Sequence, residues 1–411
     1  MDIWRSAVVV EWAKLLLKLR WPYATFLITI VILCLKSTVP NLLSVWQLEV
    51  GTGAIKEGYH LSVFSLTKSQ RSTLPIQHVY YLKTHKTGSS TIFSVLAQYC
   101  NSHGLLALLP SGVHINQRTP LLPAQQLMLD PRILHYDMVF NHQVYDPAVF
   151  KYLHNDTFKF TTIREPFKHF VSSFAYFRSV GNMGYLTSVR GYKDPISVFL
   201  SNPSKFEANG YSSYTNNRQS IDLGYEIHNH TFSDINYIQA FIKETEKRFD
   251  LVLITDYFLE SIVLLKRALH WQTQDVLFYE KNVLLESHSL LVNMTPWHRQ
   301  KHKEFSIPDI QLYQYFLSVF KFRMSQAVGL EEEVSELREI LDKVRRFCNL
   351  GSIVRDRTLE TIRKLEIPVR RWSDKVSLDR AKCKWLSLEE ISFTKYLQKQ
   401  RIHRLKMVPK T

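Results

Sequence analysis

Three times along this chain a short run of β-branched and aromatic residues gives way, after a few polar residues, to a longer run with helical spacing. The pairs are IQHVYYLK then TIFSVLAQYC, FKFTTI then the stretch after Pro166, and FDLVLIT then SIVLLKRALHW. Strands that alternate with helices share one sheet only if each helix carries the chain back across it, so the pattern predicts an α/β domain with a mainly parallel central sheet flanked by helices. The chain has the material for it: 411 residues, 45% of them apolar and 13% aromatic, can bury one large core or two modest ones, and disorder throughout is excluded. Further on, Glu331 to Phe347 places Val334, Leu337, Leu341 and Val344 on one face, with acidic residues first and basic ones last, as the helix dipole prefers. It reads as an amphipathic packing helix.

The N-terminus follows a different logic. Trp21 to Leu35 is uncharged and apolar, and no later stretch matches it. It is shorter than the roughly 20 residues a bilayer asks for, so Arg20 and Lys36 must snorkel or the membrane must be thin. Arg5, Lys14, Lys18 and Arg20 precede it against Asp2 and Glu11 only, a bias that keeps the flank cytosolic and the rest of the chain luminal. A cleaved signal peptide fits less well, because the preceding segment is long and no small-x-small cleavage site follows. The expected plan is a cytoplasmic tail over 1–20, a transmembrane signal anchor over 21–35, a stem over 36–75 and a luminal domain over 76–350. A basic extension over 351–411 either packs on that domain or trails from it. Three N-glycosylation sequons, at Asn155, Asn229 and Asn293, agree with a luminal address. Of Cys34, Cys100, Cys348 and Cys383, the first lies in the apolar run, so the other three can form one disulfide in any of three pairings.

Lys and Arg exceed Asp and Glu by 15, which points to an anionic partner without choosing among nucleic acid, membrane surface and acidic small molecule. Two segments narrow the choice. In the first, a strand ends at Tyr80-Tyr81-Leu82, and Lys83, Thr84, His85, Lys86, Thr87, Gly88, Ser89, Ser90 and Thr91 lead into a helix. Such a turn aims free N–H groups and the helix dipole at an anion, and Lys83, Lys86 and the hydroxyls add to it. Walker A is absent, because the lysine precedes the glycine. In the second, Arg164 stands at a strand end, Pro166 suits the first turn of a helix, and Ser172 follows about two turns in. Two histidines are candidate bases: His85 flanks the loop, and His142 stands in Asn141-His142-Gln143 after a strand-like Met138 to Phe140. Arg218, Tyr176 and Trp297 are candidates for lining a sugar site. No Asp-x-Asp occurs, which speaks against a metal-dependent glycosyltransferase, and the lack of Walker A speaks against a P-loop kinase.

Lys86-Thr87-Gly88-Ser89-Ser90 resembles the 5′-phosphosulfate loop of sulfotransferases, and Arg164 with Ser172 resembles the pair with which they hold a 3′-phosphate. With DPISVFLSNPSKF, NNRQSIDLGYE and FDLVLITDYFLESIVLLKRALHW, these segments resemble the galactose-3-O-sulfotransferase family over roughly Ile76 to Ala327, and CKWLSLEE extends the likeness toward the C-terminus. The resemblance implies a P-loop-like sulfotransferase fold and transfer of a sulfuryl group from PAPS (3′-phosphoadenylyl sulfate) to the 3-hydroxyl of galactose in a glycolipid or glycoprotein glycan. It implies that Lys83, Thr84 and Lys86 through Thr91 bind the donor's 5′ end, that Arg164 and Ser172 bind its 3′-phosphate, and that Lys86 stabilises the leaving group. His85 is the first choice for the base and His142 the second. It further implies a single-pass type II protein of the Golgi membrane, no metal and no nucleic-acid partner, with a homodimer left open. The other readings are a sulfotransferase for another glycan, such as a glycosaminoglycan, and a luminal glycan-binding protein without catalysis.

Overall fold

The computed structural model describes residues 74–115, 124–179, 184–208, 210–227, 232–279, 291, 293–353 and 364–407. The expected anchor, nearly all of the expected stem, and the Asn229 sequon lie outside them. Among the described residues no helix is long and apolar enough to cross a membrane.

The three strand-like runs become β1 (Val79–Leu82), β3 (Phe158–Ile163) and β4 (Leu251–Ile254), and a two-residue β2 (Met138–Val139) completes the sheet. All pairings are parallel in the order β2-β1-β3-β4, with Val79 opposite Met138 on one side and Phe158 on the other, and Phe160 opposite Leu251. All four residues of β1 are buried, as a strand covered on both faces requires.

The helices that cover the sheet are α1 (Ser89–Ser102), α2 (Pro166–Ser179), the short α3 (Gly184–Thr187), α4 (Pro195–Ser201), α5 (Pro203–Phe206) and α6 (Arg218–Asp222), then α7 (Ile235–Arg248), α8 (Phe258–Leu269), α9 (Pro296–Phe305), α10 (Ile307–Gln326) and α11 (Leu330–Ile353). Alternation along β1 sorts them into two layers. Val79 and Tyr81 pack with Ile92 and Leu96 of α1, Ile262 of α8 and Leu337 of α11, whereas Tyr80 and Leu82 face Ile238 of α7 and Leu312 and Phe316 of α10. A third cluster joins Phe170 and Phe174 of α2 to Phe199 of α4. The amphipathic run expected at Glu331 to Phe347 is the body of α11, and its Val334, Leu337 and Val344 are buried.

Beyond α11 the chain forms an antiparallel hairpin, β5 (Lys364–Ile367) and β6 (Val376–Asp379), then α12 (Arg380–Ser387) and α13 (Glu390–Met407). Of the three disulfide pairings open to the sequence, the structure has Cys348–Cys383, which ties α11 to α12, while Cys100 is buried, with Sγ donating to the Leu105 carbonyl at 3.4 Å. Phe393 of α13 is fully buried and meets Phe93 of α1 edge-on. The tail therefore contributes to the main core.

Candidate active site

In a sheet of this order the chain moves to one side of β1 and then to the other, so the crevice outside the C-terminal ends of β1 and β3 is a topological switch point, where α/β folds bind ligands. The two segments singled out in the sequence meet there: Lys83 to Ser90 leaves β1 and Arg164 leaves β3.

The loop is shaped by its own hydroxyls. Thr84 Oγ1 donates to the Thr162 carbonyl of β3, Ser89 Oγ donates to the Thr84 carbonyl at 2.7 Å, and Thr255 Oγ1, just past β4, donates to the Thr87 carbonyl at 2.7 Å. Lys86 and Gly88 both adopt left-handed backbone, with φ of 56° and 73°. Such a conformation costs a non-glycine residue roughly 1–2 kcal/mol, so packing must hold Lys86 in it. Gly88 caps α1 without a side-chain bond, and the first turn of α1 has no acidic residue. The helix N-terminus presents its orphan N–H groups and positive dipole end at the loop.

Cations crowd the same place. Arg164 donates from Nη1 to the Lys86 carbonyl at 3.2 Å, and its own backbone is fixed by a reciprocal pair with Gln219 of α6, at 2.7 and 3.0 Å. The Lys86 ammonium rests over the Tyr176 ring, 3.9 Å from its centroid. Burial first, then the nearby Arg164 and Lys83, push its pKa down to about 8. Ser172 lies one turn beyond His169 on the same face of α2, and His169 Nε2 hydrogen-bonds the His85 carbonyl at 2.9 Å.

The histidines differ in what they leave open. His85 donates from its backbone N–H to Asp222 Oδ2 at 2.8 Å, and its Nδ1 meets the same carboxylate at 2.8 and 3.1 Å. Asp222 in turn receives Arg218 Nη2 at 2.7 Å, and both of those side chains are fully buried. Burial pushes the Asp222 carboxyl up, but three N–H donors converge on it and favour the ionised form. With Nδ1 taken, His85 Nε2 is buried and, among the described residues, has no hydrogen-bond partner. This is the carboxylate-oriented imidazole arrangement that a general base needs. His142 stacks on His85 with 4.2 Å between ring centroids, and both its nitrogens are engaged, Nδ1 with the Lys83 carbonyl at 3.0 Å and Nε2 with Lys83 Nζ at 2.7 Å.

Lys83 is therefore as central as Lys86. Its ammonium, fully buried, also reaches Ser89 Oγ at 3.2 Å and Glu390 of α13 at 3.1 Å. The sugar-site candidates separate. Tyr176 lies under Lys86 and Trp297 is exposed on α9, but Arg218 is enclosed, with Nη1 on the Tyr211 and Ser213 carbonyls and Nη2 on Asp222. Arg218 holds Asp222 and lines no open surface. Sequence reasoning missed the roles of Asp222 and Glu390. Arg218 and Asp222 four residues apart look like an ordinary surface pair, and Glu390 looks like a first-turn acid on a basic tail.

Among the described residues, the group of metal-ligating side chains is His78, Asp137 and His154, which sit at the opposite, N-terminal edge of the sheet. The His78 and His154 rings stack 3.8 Å apart and within 7° of parallel, so one ion does not lie in both ring planes.

The galactose-3-O-sulfotransferase family model matches residues 12–375. The chain is 31% identical to galactose-3-O-sulfotransferase 2 of Mus musculus over 317 residues, covering 74% of this chain and 78% of that one. It is 33% identical to galactosylceramide sulfotransferase of Bos taurus over 286 residues, covering 67% and 64% respectively. The match takes in the loop after β1, Arg164 at the end of β3 and the segment that carries Asp222, and the chain belongs to the galactose-3-O-sulfotransferase family.

Proposed function

We propose that this chain transfers a sulfuryl group from PAPS to the 3-hydroxyl of a galactose residue in a glycolipid or glycoprotein glycan. The observation that carries the reading is the gathering of Lys83, Lys86 and Arg164 around an α-helix N-terminus that has no acid in its first turn. Burial, with the neighbouring Arg164 and Lys83, lowers the pKa of Lys86, which an anion relieves, and a nucleotide carrying a 5′-phosphosulfate and a 3′-phosphate supplies charge at both ends.

PAPS, when bound, brings the activated sulfuryl group. The protein's part is positioning and charge. Lys86 and the N–H groups opening α1 balance the negative charge that grows on the leaving phosphate, while Arg164 and Ser172 hold the 3′-phosphate. His85, neutral because burial and the cations around it push its pKa well below 6.5, has Nε2 ready to take the proton of the acceptor hydroxyl. Asp222 then faces the imidazolium that forms. His142 orients Lys83. Trp297, exposed on the rim, offers a flat face to a sugar.

We place the enzyme in the Golgi membrane with its domain in the lumen. The Cys348–Cys383 disulfide suits an oxidising compartment, and Asn155 and Asn293 are exposed for glycosylation.

Calorimetric titration of the purified protein with PAP tests the donor reading. Lys86→Ala and Arg164→Ala should each weaken binding by roughly 10- to 100-fold, the worth of one charged hydrogen bond. Failure of the wild-type protein to bind PAP would overturn the assignment.

A further inference from the structure

The family model matches as far as residue 375, and the last residue of the CKWLSLEE segment that follows it brings a carboxylate onto the donor loop. Glu390, the first residue of α13, places Oε2 3.1 Å from Lys83 Nζ and within 3.3 Å of Ser90 Oγ. The contact is built. Phe393 packs into the core one turn on, Thr394 Oγ1 receives Asn141 Nδ2 at 3.1 Å, and Gln398 Nε2 donates to the Pro110 and Gly112 carbonyls at 2.7 Å each. These bonds fix α13 against the segments after α1 and β2, and so fix where Glu390 points. The Lys83 side chain is 1% exposed and that of Glu390 15%, so neither charge is solvated as a surface pair would be.

We propose that Glu390 is a positioning residue for sulfuryl transfer, holding the Lys83 ammonium charged and aimed along the loop between Ser89 and His142. The proposal rests on the donor reading above. Lys83 leads from β1 into the loop and is enclosed by Glu390 and Asp222 on the acidic side and by His142, His85, His114 and Lys86 on the basic side. A buried ammonium among basic groups loses its proton unless a carboxylate stands beside it. Glu390 supplies that carboxylate from the C-terminal helix, so the tail completes the site.

The test is the pH profile of kcat/KM for full-length wild type, Glu390→Gln and Glu390→Asp, each with PAP affinity measured alongside. Removing the negative charge lowers the pH at which Lys83 deprotonates, so the alkaline limb of Glu390→Gln should move to lower pH. At pH 8 its activity should fall by up to about tenfold, the most that one unit of displacement gives, and partly recover toward pH 6. Glu390→Asp, which keeps the charge, should restore the wild-type shape. A purely structural role would lower activity at every pH alike. An unchanged profile in a folded Glu390→Gln protein, or an Asp variant no better than Gln at pH 8, would overturn the proposal. Absence of PAP binding by the wild type would instead overturn the donor reading.

Discussion

Replacing Asp222 by Asn removes one charge from a site where three fully or nearly buried groups share it. Arg218 Nη2 at 2.7 Å would lose its counter-ion, while the two His85 contacts keep an acceptor in the amide oxygen. Breaking a buried ion pair by removing one partner costs roughly 3–5 kcal/mol. The compact unit from Ser69 to Thr411 has about 340 residues, so at about 2.1 cal/mol/K of unfolding entropy per residue the melting temperature should fall by roughly 4–7 °C. Pairing the substitution with Arg218→Met removes the orphaned guanidinium and should recover part of that loss, giving a non-additive double-mutant cycle. Catalysis should fare worse than stability. Without a carboxylate behind it, the His85 imidazolium loses its support, and kcat should drop by about 10²- to 10⁴-fold with PAP affinity little changed. Thermal melts, PAP titration and turnover on the same preparations separate these effects. An Asp222→Asn protein that melts with the wild type, or that turns over at the wild-type rate, would refute the reasoning.

Three further outcomes follow from the geometry. Lys86, its pKa pushed down to about 8, is charged below that value and loses its proton above it, so PAP affinity should decline between pH 7 and 9 in the wild type and hold steadier in Lys86→Arg; equal slopes would argue against it. Gly88→Ala imposes a side chain at φ 73° with its Cβ 3.1 Å from Phe258 Cε2; it should cost about 1–2 kcal/mol of stability and weaken PAP binding by displacing the loop, and unchanged titrations would contradict that. Cys348→Ser opens a loop of 35 residues and should cost roughly 4 kcal/mol, read as a fall in melting temperature of about 5 °C, with the Cys348–Cys383 link confirmed by non-reducing peptide mapping.

Much of the fold was legible because the sheet is parallel and buried, so its strands read as apolar runs with crossover helices between them. β2 was harder: at two residues it carries little pattern, although the strand-like Met138 to Phe140 stood out. The donor loop was legible from its local order of lysine, glycine and hydroxyls. The partners of that loop were not, because they come from far along the chain: Asp222 meets His85 across 137 residues, and Glu390 meets Ser90 across 300. Composition also misled. The tail is basic, which draws attention away from Phe393, Leu397 and Arg401, spaced by four and all buried on one face of α13. That periodicity was the signal available for a packed helix, and hence for a fixed Glu390. The choice between His85 and His142 depended on hydrogen bonds that no spacing encodes, since only the folded chain shows Lys83 occupying both nitrogens of His142.

The most direct test of the account is sulfuryl transfer itself, followed with radiolabelled PAPS and a panel of galactosylceramide, lactosylceramide, N-acetyllactosamine and heparan acceptors, for the wild type and Lys86→Ala. The wild type should place label on one or more β-galactosides, and Lys86→Ala should lose it. Label on heparan alone would keep the chemistry and contradict the acceptor. No transfer to any acceptor by a folded protein that also fails to bind PAP would contradict the central claim and favour a glycan-binding role without catalysis.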